Sequence, residues 1–345
     1  MSKSKVMPVD VDRVKEIVAD LREPKPMIYF ADLLSSALLG WLLLAASILT
    51  SHWGIRVIAF AGASFALFRA LAFIHELFHQ QAMKGFRWVW HAVVGVPLLV
   101  PFLLYLPIHQ GHHNSKIYGT KEDGEYEQFK GRFMSKSIEL IVVGMILPFA
   151  LIIRFGVLTP LSALFPVVRQ RVIPNFVHMS LRLPFRAPLI KESARAEAML
   201  VEWSCALMVW GLLAFSFLVS VSGLLWWAAL VVSIGTLNLL RALFTTHLYV
   251  ELEQGRDARG QLLDSMNIDN AGLLTQLMCP TGLRFHALHH VAPYLPYHSL
   301  RSAHDRLMAQ LPLDSEYHQV GMKSLGAGRR RVAGATVVGN LPKSK

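Results

Sequence analysis

The chain has 345 residues, of which 53% are hydrophobic and only 17% charged, and its mean hydropathy is +0.41. A soluble domain carries about a quarter of its residues as charged side chains, so part of this surface is expected to face lipid. The net charge of +11 comes with no nucleic-acid-binding motif, which argues against DNA or RNA as partner and for contact with anionic leaflets.

Residues 1–27 read as a polar lead-in with a short amphipathic helix near Val11 to Leu21 and no apolar signal segment. The membrane domain is expected over residues 28–320, with a flexible basic tail at 321–345. Four stretches have the roughly 20 apolar residues that a bilayer core requires: Ile28 to Leu49, Ile55 to Ile74, Ala198 to Ser220 and Leu224 to Phe244. The breaks "TSHWG" and "VSG" are short, so the four are expected to pair as two helical hairpins. Two further apolar runs carry prolines, which kink or end helices: Trp88 to Pro107, with Pro97, Pro101 and Pro107, and Ile138 to Val168, with Pro148, Pro160 and Pro166. Both are expected to be interfacial or re-entrant.

Basic residues flank one side of this plan. Lys84, Arg87, Lys116 and Lys121 follow the second span, and Arg169, Arg171, Arg182, Arg186, Lys191 and Arg195 precede the third. By the positive-inside bias this side, with both termini, is cytoplasmic. The fold class is therefore an all-α integral membrane protein: four transmembrane helices as two hairpins, interfacial helices, and a cytoplasmic histidine-rich cap.

Three boxes hold eight of the 15 histidines. "HELFH" places His75 and His79 four apart, one above the other on a helix. "HQGHH" and "HALHH" repeat an i, i+3, i+4 spacing with His109, His112, His113 and with His286, His289, His290. His247, just past the fourth span, is a ninth candidate. Taken alone, "HELFH" also fits a zinc protease with Glu76 as base. Eight or nine imidazoles exceed the four ligands of a structural zinc, and two metals with four or five nitrogens each account for the number. Imidazole suits iron, zinc, copper or nickel. Metal-bound histidines donate their other N–H to carboxylates, so Glu76, Asp123, Asp264 and Asp269 are expected to support the ligands. Glu125 and Glu127 are weighed for the same role, with solvated loop acids as the plainer alternative for both. His52 is expected to lie away from the site, His91 is undecided, and His178, His298, His304 and His318 have an interface or supporting place.

With these boxes in this order, together with "YGTKEDGEYE" and "CPTGLRFHALHHVAPYLPYHSLRSAHDRL", the chain resembles the membrane fatty acid desaturases over roughly residues 30 to 310. The resemblance implies a non-haem centre of two irons at the cytoplasmic face, with O2 as cosubstrate and external electrons. His247 resembles the family's extra ligand after the last span. Some relatives carry an asparagine one turn earlier, where this chain has Leu243; water or Glu76 would then complete the set. The expected reaction is desaturation of an acyl chain, lipid-linked or carrier-bound. The alternative is a hydroxylase or ketolase of a lipid, sterol or carotenoid with the same centre.

The sequence has no C-x-x-C-H haem motif and no clear G-x-G-x-x-G site, and Cys205 and Cys279 are too few for an iron–sulfur cluster. Electrons are expected from a separate ferredoxin or flavoprotein reductase, drawn to the cationic face. A bacterial-type inner membrane is the expected location. Two other classes, a zinc-dependent membrane hydrolase and a metal transporter, fit less well. The hydrolase uses one box only, and a transport path favours polar groups inside the spans.

Overall fold

A computed structural model describes residues 6–175, 180–181, 185–188 and 190–338, with side chains to residue 335. His178 and Arg182 lie outside the described residues. Asp10 opens α1 (Val11–Ile17), its carboxylate accepting the N–H groups of Asp12 and Arg13. A turn of 3-10 helix follows, and Pro26 starts α2 (Pro26–Leu49), where its missing N–H costs nothing. α2 and α3 (Trp53–His79) form a tight hairpin. A Cβ on Gly40 would meet Leu67 Cγ at 2.5 Å, so glycine permits this approach.

The proline-rich run after the first box is broken as expected. α4 (Phe86–Trp90) passes into a π-turn at His91–Gly95, and the chain leaves helix before α5 (Phe102–His112), whose N-cap is Pro101. The next run departs from expectation. α6 (Phe133–Leu151) continues through a π-segment at Ile152–Leu158 into α7 (Thr159–Leu164) as 32 helical residues. With α2, α3, α8 (Arg195–Leu218) and α9 (Ser222–Thr245), this makes five helices among the described residues that are long and apolar enough to cross a membrane, one more than the four expected. The prolines fail to break the run for local reasons. Pro148 is followed by wider π-turns that re-register the carbonyls, and Pro160 sits in the first turn of α7.

These long helices expose Leu38, Leu42, Ile58, Met145, Phe149, Leu207 and Phe217, the faces for lipid. Arg154, in the π-segment, and Arg169, beyond the end of α7, both reach Glu202 of α8, at 3.0 and 2.9 Å. Arg154 and Glu202 are each 1% exposed; removing Glu202 would strand the guanidinium at a cost of about 3–5 kcal/mol.

The C-terminal part folds back as a cap of short elements: α10 (Ala258–Asp264), α11 (Leu273–Met278), α12 (His286–Val291), α13 (Leu300–Gln310) and α14 (Glu316–Gln319). Two short parallel strands pair Asn267 with Gly321 and Ile268 with Met322. Val14, Ile17 and Val18 of the N-terminal segment share a core with Leu288, Val291, Leu300 and Leu307, so the lead-in is docked on the cap. The expected flexible tail is helical over α15 (Leu325–Val338), which leans on α9. Val332 is fully buried there, and Gly328 meets the Phe244 carbonyl, where a Cβ would approach to 2.4 Å. Small and apolar residues on either side of Arg329, Arg330 and Arg331 give this segment a packing face that its charge obscures.

Candidate metal centre

The last turns of α3 carry His75 and His79; the end of α5 carries His109, His112 and His113; α12 carries His286, His289 and His290; and His247 follows α9. Their ring nitrogens gather into two sets. His75, His79, His109, His113 and His289 form one, and His112, His247, His286 and His290 the other, with the ligand atoms of each set within 4.8 Å of one another. Helix geometry explains the division. Residues i and i+4 are stacked on one face, while i+3 lies on its other flank. Each H-x-x-H-H box therefore sends its outer pair to one set and its middle histidine to the other. His109 and His113 join one set and His112 the other; His286 and His290 join one and His289 the other.

The nitrogens face inward. His79 Nε2 lies 3.0 Å from His109 Nε2, which lies 3.1 Å from His113 Nε2, which lies 3.1 Å from His289 Nε2. In the second set His286 Nε2 is 2.9 Å from His247 Nε2 and 3.2 Å from His290 Nε2. The outer nitrogens have acceptors. His112 Nδ1 faces Asp123 at 3.0 Å, His109 Nδ1 faces Glu125 at 2.8 Å, and His290 Nδ1 faces the Gln261 side-chain oxygen at 2.9 Å. His247 Nδ1 meets the Tyr118 hydroxyl at 2.9 Å and Ser265 at 3.1 Å. Where the outer nitrogen donates to such an acceptor, the inner one carries a lone pair. Lone pairs pointed at each other in a buried space need a cation. His112 Nε2 and both nitrogens of His75 are buried with no hydrogen-bond partner among the described residues, as expected of ligands. The nine residues therefore fit two nitrogen-bound metal ions.

Electrostatics agree with neutral ligands. Burial, followed by the neighbouring imidazoles, holds His109, His286, His289 and His290 well below the usual histidine range. His112 is the exception: burial opposes its charge, yet Asp123, Glu125 and Asp264 together raise it. Burial pushes Glu125 and Asp264 up to about 7; a cation in either set would return both to carboxylates.

The four acids expected to support the ligands part company. Asp123 touches His112 directly and also accepts the Gly119 N–H. Asp264 acts at one remove, accepting the Tyr118 hydroxyl at 2.8 Å, which in turn meets His247. Glu76 lies 3.7 Å from His75 and accepts the Tyr29 hydroxyl and the Tyr297 N–H. Among the described residues it has no hydrogen bond to the set around His247. Asp269 is not at the centre: it lies 3.5 Å from His304 and against Gly321, and no histidine of either set touches it. Asp32, in the first long helix, pairs with Arg69 and accepts the Tyr297 hydroxyl, tying the cap to α2 and α3.

His52 is exposed at the α2–α3 turn, and His91 is buried in the π-turn beside Trp90 and Gly95. His298 accepts the Lys25 N–H, His304 meets Tyr317, and His318 lies near the Leu311 carbonyl. Of the two glutamates that follow Asp123, Glu125 faces His109 Nδ1 at 2.8 Å, whereas Glu127 lies 3.9 Å from Lys136. Tyr105, whose hydroxyl lies 2.9 Å from His109 Nδ1, gave no spacing signal, nor did Gln261 and Ser265. Tyr118 falls within a quoted motif, but nothing in that motif singles it out.

Two openings approach the centre. An apolar cavity of about 270 Å³ begins at His75, His247 and His286 and runs between the long helices past Leu98, Leu147, Leu151 and Ile234. A polar cleft of about 650 Å³, walled by Lys15, Glu16, Arg22 and Glu23, has His79 and Gln80 at its floor.

The family model described as fatty acid desaturase matches residues 51–321. A ceramide hydroxylase of Caulobacter vibrioides is 34% identical to this chain over 335 residues, which cover 92% of each protein.

Proposed function

The chain belongs to the fatty acid desaturase family, and on that premise we propose that it hydroxylates the acyl or sphingoid chain of a ceramide-type lipid, with O2 and two externally supplied electrons. The chain is a histidine-ligated diiron oxidative enzyme of the membrane that acts on a lipid-type substrate. The observation that carries this proposal is likeness to a ceramide hydroxylase along nearly the whole chain. It favours hydroxylation over the desaturation that the boxes first suggest.

In this reading His75, His79, His109, His113 and His289 hold one iron, and His112, His247, His286 and His290 the other. The irons supply the oxidising power that an unactivated C–H bond demands. Asp123, Glu125, Gln261 and the Tyr118–Asp264 pair keep the imidazoles in the tautomer that presents Nε2 inward. The apolar cavity takes the hydrocarbon chain, excludes bulk water and fixes which carbon faces the histidines. Desaturation and hydroxylation differ in whether the second event removes hydrogen or adds oxygen, so that positioning decides the product.

Convergence of the boxes also bears on topology. His79, His109 and His247 meet, so the chain must be on one side of the bilayer at each. Arg87 on α4 pairs with Glu197 in the first turn of α8, which puts the start of α8 on that side too. A single crossing by Phe133–Leu164 would break this parity. We read it as entering the bilayer beside α9 and turning back, with Arg169 returning to Glu202 near the start of α8. The basic flanks favour a cytoplasmic position for this side and both termini, and a bacterial-type inner membrane is the setting that this reading takes. Electrons come from a separate ferredoxin or flavoprotein.

The test is expression in a host of known lipid composition, followed by mass spectrometry of intact ceramides. A gain of one oxygen dependent on His112 supports the proposal. A loss of two hydrogens returns the assignment to desaturation, and unchanged lipids under aerobic, reducing conditions refute both.

A further inference from the structure

The apolar cavity carries one cation whose place the proposed reaction does not explain. Arg241 lies in the last turns of α9, inside a stretch apolar enough to span the membrane, and its side chain lines the cavity together with Asn238. Its Nε and one terminal nitrogen both donate to the Asn238 side-chain oxygen, at 3.3 and 3.1 Å. Among the described residues it forms no ion pair with a carboxylate. Arginine inside a span is costly unless it faces protein, a partner or a ligand. An arginine near a helix end often snorkels toward lipid headgroups, but this one lines the cavity that also reaches His75, His247 and His286. Asn238 steadies one edge of the guanidinium plane, which leaves donors on the other edge free for a ligand.

We infer that Arg241, steadied by Asn238, is the polar anchor that binds the amide carbonyl of an N-acyl lipid in the cavity and so sets which carbon lies against the histidines. The inference rests on the hydroxylase reading and narrows its substrate. Glu125 lines the same cavity. A head bearing both a carbonyl and an N–H or O–H matches a wall with both a donor and an acceptor, whereas a fatty-acid carboxylate matches the donor alone.

The test uses the full-length, iron-loaded protein in lipid nanodiscs. The probes are an N-acyl sphingoid base and an analogue of equal chain length with an ether in place of the amide; binding is read by tryptophan fluorescence. A hydrogen bond from a charged donor predicts that the wild type prefers the amide by about tenfold or more. Arg241→Met should abolish the preference with iron content and melting temperature unchanged. Arg241→Lys should keep part of it, since a point charge lacks the planar fork. Asn238→Ala, a milder change, should lower it severalfold. Equal binding of the two probes by the wild type overturns the inference, as does an Arg241→Met variant that weakens both by one factor. If the preference holds but no hydroxylated product forms from the amide lipid, the anchor stands and the hydroxylase reading fails.

Discussion

The two histidine sets have the same chemistry and different support. In the set of four every member is buried, and three of the four outer nitrogens are held, by Asp123, by Tyr118 with Ser265, and by Gln261. In the set of five, His79 and His113 are only partly buried. Among outer nitrogens there, His109 has Glu125, whereas His75 Nδ1 has no hydrogen-bond partner. His79 also floors the polar cleft. One set is fixed by its surroundings before any metal arrives; the other depends more on the metal to hold it together and lies closer to water.

That contrast can be broken in several ways. The largest effect is expected from ligand removal: His112→Ala or His289→Ala should abolish turnover, and elemental analysis should find about one iron fewer per chain. Loss of both irons from His289→Ala alone would mean that the sets do not load separately. Next, brief exposure to a chelator should empty the set of five first, leaving a half-loaded protein whose remaining metal exchanges slowly; a stopped time course of metal content would reveal the order, and simultaneous loss would erase the distinction. Third, Asp123→Asn should weaken metal at the set of four by about 10–100-fold, measured by competition with a chromogenic chelator, with Ser265→Ala costing severalfold less because Tyr118 remains. Last, Asp269→Asn, away from both sets, should leave metal content and product yield at wild-type levels; a marked fall in either would restore it to the centre.

Much of the centre could be read from the chain because helical spacing is a strong constraint. His109, His112 and His113 cannot avoid presenting ligands along one side of a helix, and the order of boxes and hairpins then identifies the family. Which histidine goes to which metal was not legible, since it depends on how α3, α5 and α12 are set against one another. The supporting acids were half legible. Asp123 lies close in sequence to its histidine, whereas Asp264 works through Tyr118, 146 residues away, and Asp269 is turned aside by the strand pair at Asn267–Ile268. At Phe133–Leu164 the prolines hid the continuity of the helix, because π-turns absorb what a regular helix would not. Charge misled at Leu325–Val338, where Val332 and its small neighbours find a surface on α9 that no local pattern announces.

Both metal sets draw on α12, and α12 is walled in by the first helix of the chain. Segments widely separated in the sequence thus have to meet, and neither pocket exists until α12 has been made and docked. Iron acquisition must follow completion of the cap, so an enzyme truncated shortly before His286 would reach the membrane intact in its spans and permanently empty of metal.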